Sequence, residues 1–352
     1  MKTKPASARA VMSLVLAIVV TLSLPIAVFA ADDSGPYKVQ ATWAIGGDGG
    51  WDYLKIDPAT HLLYITRGGR VQIVDLSSGK LAGEITGLKG THGVAFDGAG
   101  KYGYISDGGA NQAVVFDRNS HEIVARIDTT GQNPDAIAFE PTTKRVFTFN
   151  GRGKNSTVID SATNKVVATI ALPGKPEFAQ PDGKGAIFAN IEDTSQLVRI
   201  DAASAKVTAT WSLAPCDSPS GLAVDPAHER LFAVCDNQKM VVINGESGTI
   251  VATLSIGKGP DAAGYDAANA VAFSSNGEGN LTVVSQKSAD TYGALQTLTT
   301  KPGARTMTVD EASGTVYMVT AEFGPRPAPT AENPRPRPAI VPNSFVVLKI
   351  GR

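Results

Sequence analysis

A phrase of the form apolar-x-apolar-Asp-Pro-x-x-x-x-apolar-aromatic recurs along almost the whole chain, and this repeat limits the fold more than any other feature. Its turn positions are Asp57, Asp97, Glu140, Pro181, Asp225, Asp266 and Asp310. Seven residues after each comes an aromatic: Tyr64, Tyr104, Phe147, Phe188, Phe232, Phe273 and Tyr317. The copies are 40 to 44 residues apart, the length of a unit of four short strands. Within a unit the segments alternate or run β-branched, as in Ala136–Phe139, Arg145–Phe149, Thr157–Asp160 and Lys165–Leu172, and none of similar length has the periodicity of an amphipathic helix. A four-stranded sheet with two apolar faces cannot bury both alone. Seven of them are best buried radially around an axis, each covering its neighbour. The sequence therefore predicts an all-β, seven-bladed β-propeller over residues 31–352.

The ends of the chain predict how the ring closes. Blade seven supplies a first strand at Thr306–Val309, a second at Val316–Val319 and a third at Phe345–Ile350, and then the chain stops. Its fourth strand is expected at the other terminus, where Lys38-Val39-Gln40-Ala41-Thr42-Trp43 copies the fourth-strand phrase Lys206-Val207-Thr208-Ala209-Thr210-Trp211. Such a blade leaves no free edge between the first and last units.

The motif details resemble a known family. Tyr64-Ile65-Thr66-Arg67 followed by Val71-Gln72-Ile73-Val74-Asp75 resembles the Tyr-Val-Thr-Asn propeller repeat. Thr157-Val158-Ile159-Asp160 and Val198-Arg199-Ile200-Asp201 fit its Val-Ile-Asp phrase. The chain is similar over residues 37–352 to the YncE-like periplasmic propellers and to surface-layer-type propellers. It departs from the pattern at Ser285 and Asn244, which replace that Asp, and in a long insertion in blade seven. The resemblance implies export and a binding scaffold more than a reaction.

The first thirty residues carry Lys2, Lys4 and Arg9, then an apolar stretch, with no Asp or Glu. That is the layout of a secretory signal, with cleavage expected before Ala31 and an uncleaved membrane anchor as the rival reading. Removing them moves the formal net charge from −1 to −4, because three positive charges leave and no negative ones. The expected location is the periplasm or the medium, and a monomer is expected. A mildly acidic chain argues against nucleic acid as a partner. Arg67, Arg70, Arg152 and Lys154 form a weak basic cluster that keeps the question open. Cys216 and Cys235 are expected to pair in a disulfide, since export supplies an oxidising compartment; two free thiols or a soft-metal pair are the alternative.

The turn aspartates recur at the same place in most blades and read as structural, because Asp there bonds turn amides. The opposite face differs from blade to blade. Where each innermost strand begins, the sequence offers Asp52, His92, Asp135, Glu177, Ser220, Asp261 and Arg305. Converging on one channel mouth, these residues suit a divalent cation, a cationic solute or a polar substrate; the bland alternative is that each caps its own inter-blade turn. His61, His121 and His228 fall beside the opposite turns, so a three-His or His-plus-Cys metal centre lacks ligands. Gly46-Gly47-Asp48-Gly49-Gly50 precedes a strand and not a helix, which argues against phosphate cradling. The primary functional expectation is a non-catalytic binding or interaction propeller with no cofactor, a divalent cation at the channel mouth being left open as an option. The alternative is a lactonase or hydrolase using His92 or Glu177 as base and Arg305 as anion clamp. Finally, Thr320–Ser344 is rich in proline, with Arg326, Arg335 and Arg337 among the prolines. It is expected to follow an extended path, as a linker, as a lid whose arginines face the ring, or as a strip for a protein partner.

Overall fold

A computed structural model describes residues 1–2, 33–330 and 336–352. The signal-sequence expectation, apart from its first two residues, and Arg335 lie outside them. Residues 33–330 and 336–352 form seven four-stranded antiparallel sheets, the seven-bladed β-propeller that the repeat predicts. The first strands are Leu54–Asp57, Thr91–Phe96, Pro134–Glu140, Pro176–Pro181, Pro219–Asp225, Pro260–Asp266 and Thr306–Val309. Each packs beside the first strands of its two neighbours, so together they form the inner ring. Among the described residues no helix is long and apolar enough to cross a membrane.

The last blade is built from both ends of the described fold. Lys38–Ala44 pairs antiparallel with Val346–Gly351, running from Lys38 opposite Gly351 to Ala44 opposite Val346. Just before it, buried Tyr37 exchanges two hydrogen bonds with the Gln296 side chain of blade six, each 2.9 Å, and sets its ring edge-on to Phe273. The closing strand is thus anchored to two blades.

The aromatic column of the repeat is entirely buried. The apolar side chains form wedges between adjacent blades, such as Phe273 and Leu281 of blade six with Met318 and Leu348 of blade seven. Burying a side chain of that size contributes about 1.5–3 kcal/mol, and it is available only when the neighbouring blade is present. Buried polar ties add specificity at the same seams. Arg118 of blade two donates to the Asp57 carboxylate of blade one in a buried ion pair, and Gln286 of blade six donates to Asp225 of blade five at 2.9 Å. The turn aspartate therefore also locks blades together.

Both departures from the Val-Ile-Asp phrase have local consequences. Asp75 accepts the amides of Ser77 and Ser78 at 2.7 and 2.8 Å. Asn244 does the same with Glu246 and Ser247, both at 3.0 Å, because an amide oxygen replaces a carboxylate oxygen in such a turn without loss. Ser285 is too short to reach, and there the hairpin runs on, with strands Asn280–Ser288 and Thr291–Thr299. Cys216 and Cys235 form the expected disulfide, with Cα atoms 5.5 Å apart.

Candidate functional site: the charged mouth of the inner ring

The mouth residues stand where consecutive first strands begin, and the preceding blade fixes their backbone. Thr66 Oγ1 donates to the His92 carbonyl at 2.8 Å, Ser106 Oγ to the Asp135 carbonyl at 2.5 Å, and Asn190 Nδ2 to the Ser220 carbonyl at 2.9 Å. Ser275 Oγ donates likewise to the Arg305 carbonyl. Each donor lies two residues after the repeat aromatic. A polar residue at that place in four of seven blades was the sequence signal for this scaffold, hidden because the column looks like ordinary strand alternation.

Six of the seven predicted ring residues present charged or ionisable groups, gathered in three linked clusters. His92 Nδ1 lies 2.7 Å from Asp52 Oδ2 and 3.5 Å from Asp135 Oδ1. Glu177 pairs with Lys175 at 2.9 Å, and Lys175 also pairs with Glu192. Arg305 Nε lies 3.4 Å from Asp261 Oδ2. The seventh is different. Ser220 is buried, and its hydroxyl donates to the Pro260 carbonyl at 3.1 Å, so it serves a neighbouring blade rather than the mouth. Lys175 escaped the sequence reading because it sits in the inter-blade loop, two residues before the strand position used to define the ring.

Negative charge exceeds positive within this group, and burial sharpens the effect. Burial drives Asp135 well above the ordinary carboxyl range, with Asp52 and Glu177 adding to it against His92. Burial also raises Glu177, against Lys175. Asp261 is pushed up to about 7, first by burial and then by Asp52 and Glu177, with Arg305 acting the other way. Burial works against the charged form of His92, but the Asp52 hydrogen bond and the surrounding carboxylates outweigh it and raise the imidazole to about 9. Two buried carboxylate oxygens, Glu177 Oε2 and Asp261 Oδ2, are held by ion-pair contacts to Lys175 Nζ at 2.9 Å and Arg305 Nε at 3.4 Å and not by well-aligned hydrogen bonds.

The ring stands over a plug and not at the lip of an open pore. Tyr53 of blade one meets Phe178 of blade four edge to face, with ring centres 4.8 Å apart. From these two rings a cavity of about 1050 Å³ extends to the opposite turns at Pro58, Asp97, Pro141, Pro226 and Asp310. Tyr53 lies among the mouth carboxylates, and burial followed by Asp135 and Glu177 holds its phenol protonated well above the usual range. No sequence rule pairs residues of blades one and four, so the plug could not be read from the repeat.

Two other sequence features change meaning. The weak basic cluster is largely neutralised, with Arg70 paired to Glu84 and Lys154 to Asp193. Arg67 is buried, its guanidinium donating to the carbonyls of Gly46, Gly47, Asp48, Gly49 and Gly50 and to Gln72 Oε1 while lying over the Phe345 ring. The glycine-rich stretch is therefore a carbonyl cage for one arginine. Gly46, Gly47 and Gly49 have φ of 72°, 80° and 91°, which side-chain-bearing residues rarely adopt. That cage leads directly into Trp51, Asp52 and Tyr53. The proline-rich insertion starts and ends as a short antiparallel ribbon, Phe323 bridging Ile340, with Phe323 against Trp51 at 6.0 Å. Among the described residues, neither Arg326 nor Arg337 pairs with a ring carboxylate, so the expected facing of arginines onto the ring is not present for these two.

Of the other histidines, His121 bonds the Tyr64 hydroxyl at 3.2 Å and His228 pairs with Asp225 at 2.7 Å, on the opposite side of the blades. Among the described residues, the single group of three or more His, Cys, Asp or Glu able to share one ion is Asp52, His92 and Asp135.

No family model matches the sequence, and no curated protein matches it. Solved structures share the architecture. The hydrazine synthase of Kuenenia stuttgartiensis is 16% identical, with a TM-score of 0.68 over 80% of this chain and 95% of that one. The U3-55K structure is 9% identical with a TM-score of 0.73, covering 91% and 99%. The WD40 repeats of RRP9 are 9% identical with a TM-score of 0.74, covering 92% and 99%. At these identities the likeness is one of fold.

Proposed function

We propose that this protein is an exported binding propeller of the Tyr-Val-Thr-Asn repeat kind, which takes a positively charged or hydrogen-bond-donating group of its partner at the mouth of the inner ring. The single observation that carries this reading is the convergence of Asp52, Asp135, Glu177 and Asp261 on one part-buried site, where burial and mutual repulsion raise Asp135, Glu177 and Asp261 in spite of the neighbouring His92, Lys175 and Arg305. A ligand cation placed there joins His92, Lys175 and Arg305 in facing the four carboxylates, and this offsets the cost of their burial. The solved WD40 repeats of similar fold are compatible with an interaction role, by analogy only. The disulfide supports export to an oxidising compartment, where such bonds persist.

The hydrolase alternative has less support. With its pKa raised to about 9, His92 carries a proton at neutral pH and is a poor general base. Glu177 is tied to Lys175, and Arg305 lies against Asp261, so neither group is free for an incoming carbonyl.

Calorimetric titration of the purified protein, in buffer with chelator, against arginine- and lysine-containing peptides and a polyamine tests the proposal. It predicts saturable binding by at least one class, weakened tenfold or more by Asp261→Asn combined with Glu177→Gln. Equal binding by that variant refutes the mouth as the site. A parallel lactone and ester panel that showed turnover abolished by His92→Ala would replace the binding reading with the enzymatic one.

A further inference from the structure

The corner of the mouth formed by blades one, two and three has the composition of a metal site. Asp52, His92 and Asp135 each offer one ligand atom, all within 4.8 Å of one another. His92 and Asp135 lie at the starts of the first strands of blades two and three, held by the hydroxyl donors Thr66 and Ser106, and Asp52 lies two residues before the first strand of blade one, its amide donating to the Thr66 carbonyl at 3.2 Å. A second observation points the same way. Asp135 is only 8% exposed, yet among the described residues its carboxylate accepts no hydrogen bond, its one close neighbour being His92 at 3.5 Å. A carboxylate so deeply buried is ordinarily satisfied by donors or by a cation.

We infer that Asp52, His92 and Asp135 form a site for one divalent first-row transition ion, bound through His92 Nδ1 and one oxygen of each aspartate. An imidazole nitrogen beside two carboxylates favours zinc or manganese over calcium or magnesium, which select oxygen ligands. With metal–ligand bonds near 2.0–2.2 Å, neighbouring ligands of a tetrahedral ion lie about 3.3 Å apart. Asp135 already stands at close to that distance from His92, and Asp52 must withdraw by about half an ångström from its present 2.7 Å. Three protein ligands leave at least one coordination position of the ion open. A partner carboxylate, carbonyl or water can take that position. The inference rests on the mouth being the binding face, and adds a metal to it.

The test is calorimetric titration of chelator-stripped protein with ZnCl₂ and separately with MnCl₂, metal alone, followed by X-ray anomalous scattering on crystals of the zinc-loaded form. One equivalent is expected to bind saturably in the micromolar range or tighter, with the anomalous peak between His92 Nδ1 and the two aspartates. Asp135→Asn should weaken binding at least tenfold. His92→Gln provides an independent second variant should the first fold poorly. His228→Gln, which removes a His–Asp pair on the opposite side, should leave binding unchanged. The absence of a saturable one-to-one phase with either metal, or equal loss in the His228 variant, overturns the site. Should peptides or polyamines still bind in chelator while neither metal does, the metal inference falls and the binding mouth stands. Failure of both titrations removes both.

Discussion

Replacing Asp261 by asparagine should stabilise the protein at alkaline pH, contrary to the usual result of breaking an ion pair. The folded carboxyl is raised from the ordinary 3.8 to about 7. A group raised by folding holds its proton longer in the native state, so its contribution to stability is complete below pH 3.8 and is lost as pH rises through 7. At pH 8.5 the full displacement corresponds to about 4 kcal/mol of lost stability. Asparagine carries no charge to desolvate and removes this cost. Part of the gain is offset because Arg305 loses its neighbour at 3.4 Å, but Arg305 is 42% exposed and can turn to water. A net gain of about 1–2 kcal/mol is expected at pH 8.5, falling to near zero at pH 3.5, where aspartic acid is itself neutral. Urea unfolding of wild type and variant in chelator at the two pH values measures the difference. A variant less stable than wild type at pH 8.5, or a difference independent of pH, refutes the claim that burial outweighs the Arg305 charge at this residue.

Two further outcomes follow from the packing. Arg67→Met removes the guanidinium from its glycine-loop cage and leaves part-buried carbonyls without their charged donor, which should cost about 1.5–3 kcal/mol; a loss of stability in urea unfolding of less than about 1 kcal/mol would show that water satisfies the loop equally well. Deleting residues 33–44 removes the closing strand with buried Tyr37 and half-buried Trp43, two side chains whose burial contributes about 3–6 kcal/mol. That deletion should lower the melting temperature sharply and expose a sticky edge to aggregation. An unchanged, reversible melt would mean that the ring does not depend on its closure.

The architecture was legible because it is written seven times. A turn residue and an aromatic at fixed spacing locate every first and second strand, and the copied fourth-strand phrase located the closure at Lys38. The ring positions were legible too, since they are the starts of those same first strands. What lay beyond the sequence has no periodicity. The Tyr53–Phe178 plug joins blades one and four across the axis, a contact set by ring diameter and not by any local pattern. The carbonyl cage around Arg67 uses backbone oxygens, which carry no residue identity, so Arg67 read as part of an exposed basic patch. Ser220 had the right position but a hydroxyl too short to leave its own seam, and it bonds the next blade instead. The structure also subdivides the ring: Asp52, His92 and Asp135 sit together at one corner, and Arg305 stands beside Asp261.

An excess of carboxylates around His92 is what a cation-holding mouth requires, and a side-chain nitrogen NMR titration of that imidazole in metal-free protein measures it directly. With Asp52 at 2.7 Å and Asp135 at 3.5 Å, His92 should remain an imidazolium through neutral pH and titrate at about 9, falling toward its ordinary value in the Asp52→Asn, Asp135→Asn double variant. A wild-type pKa at or below 6.5 would show that burial outweighs the surrounding charge, and would contradict the proposal that this mouth is built to hold a cation.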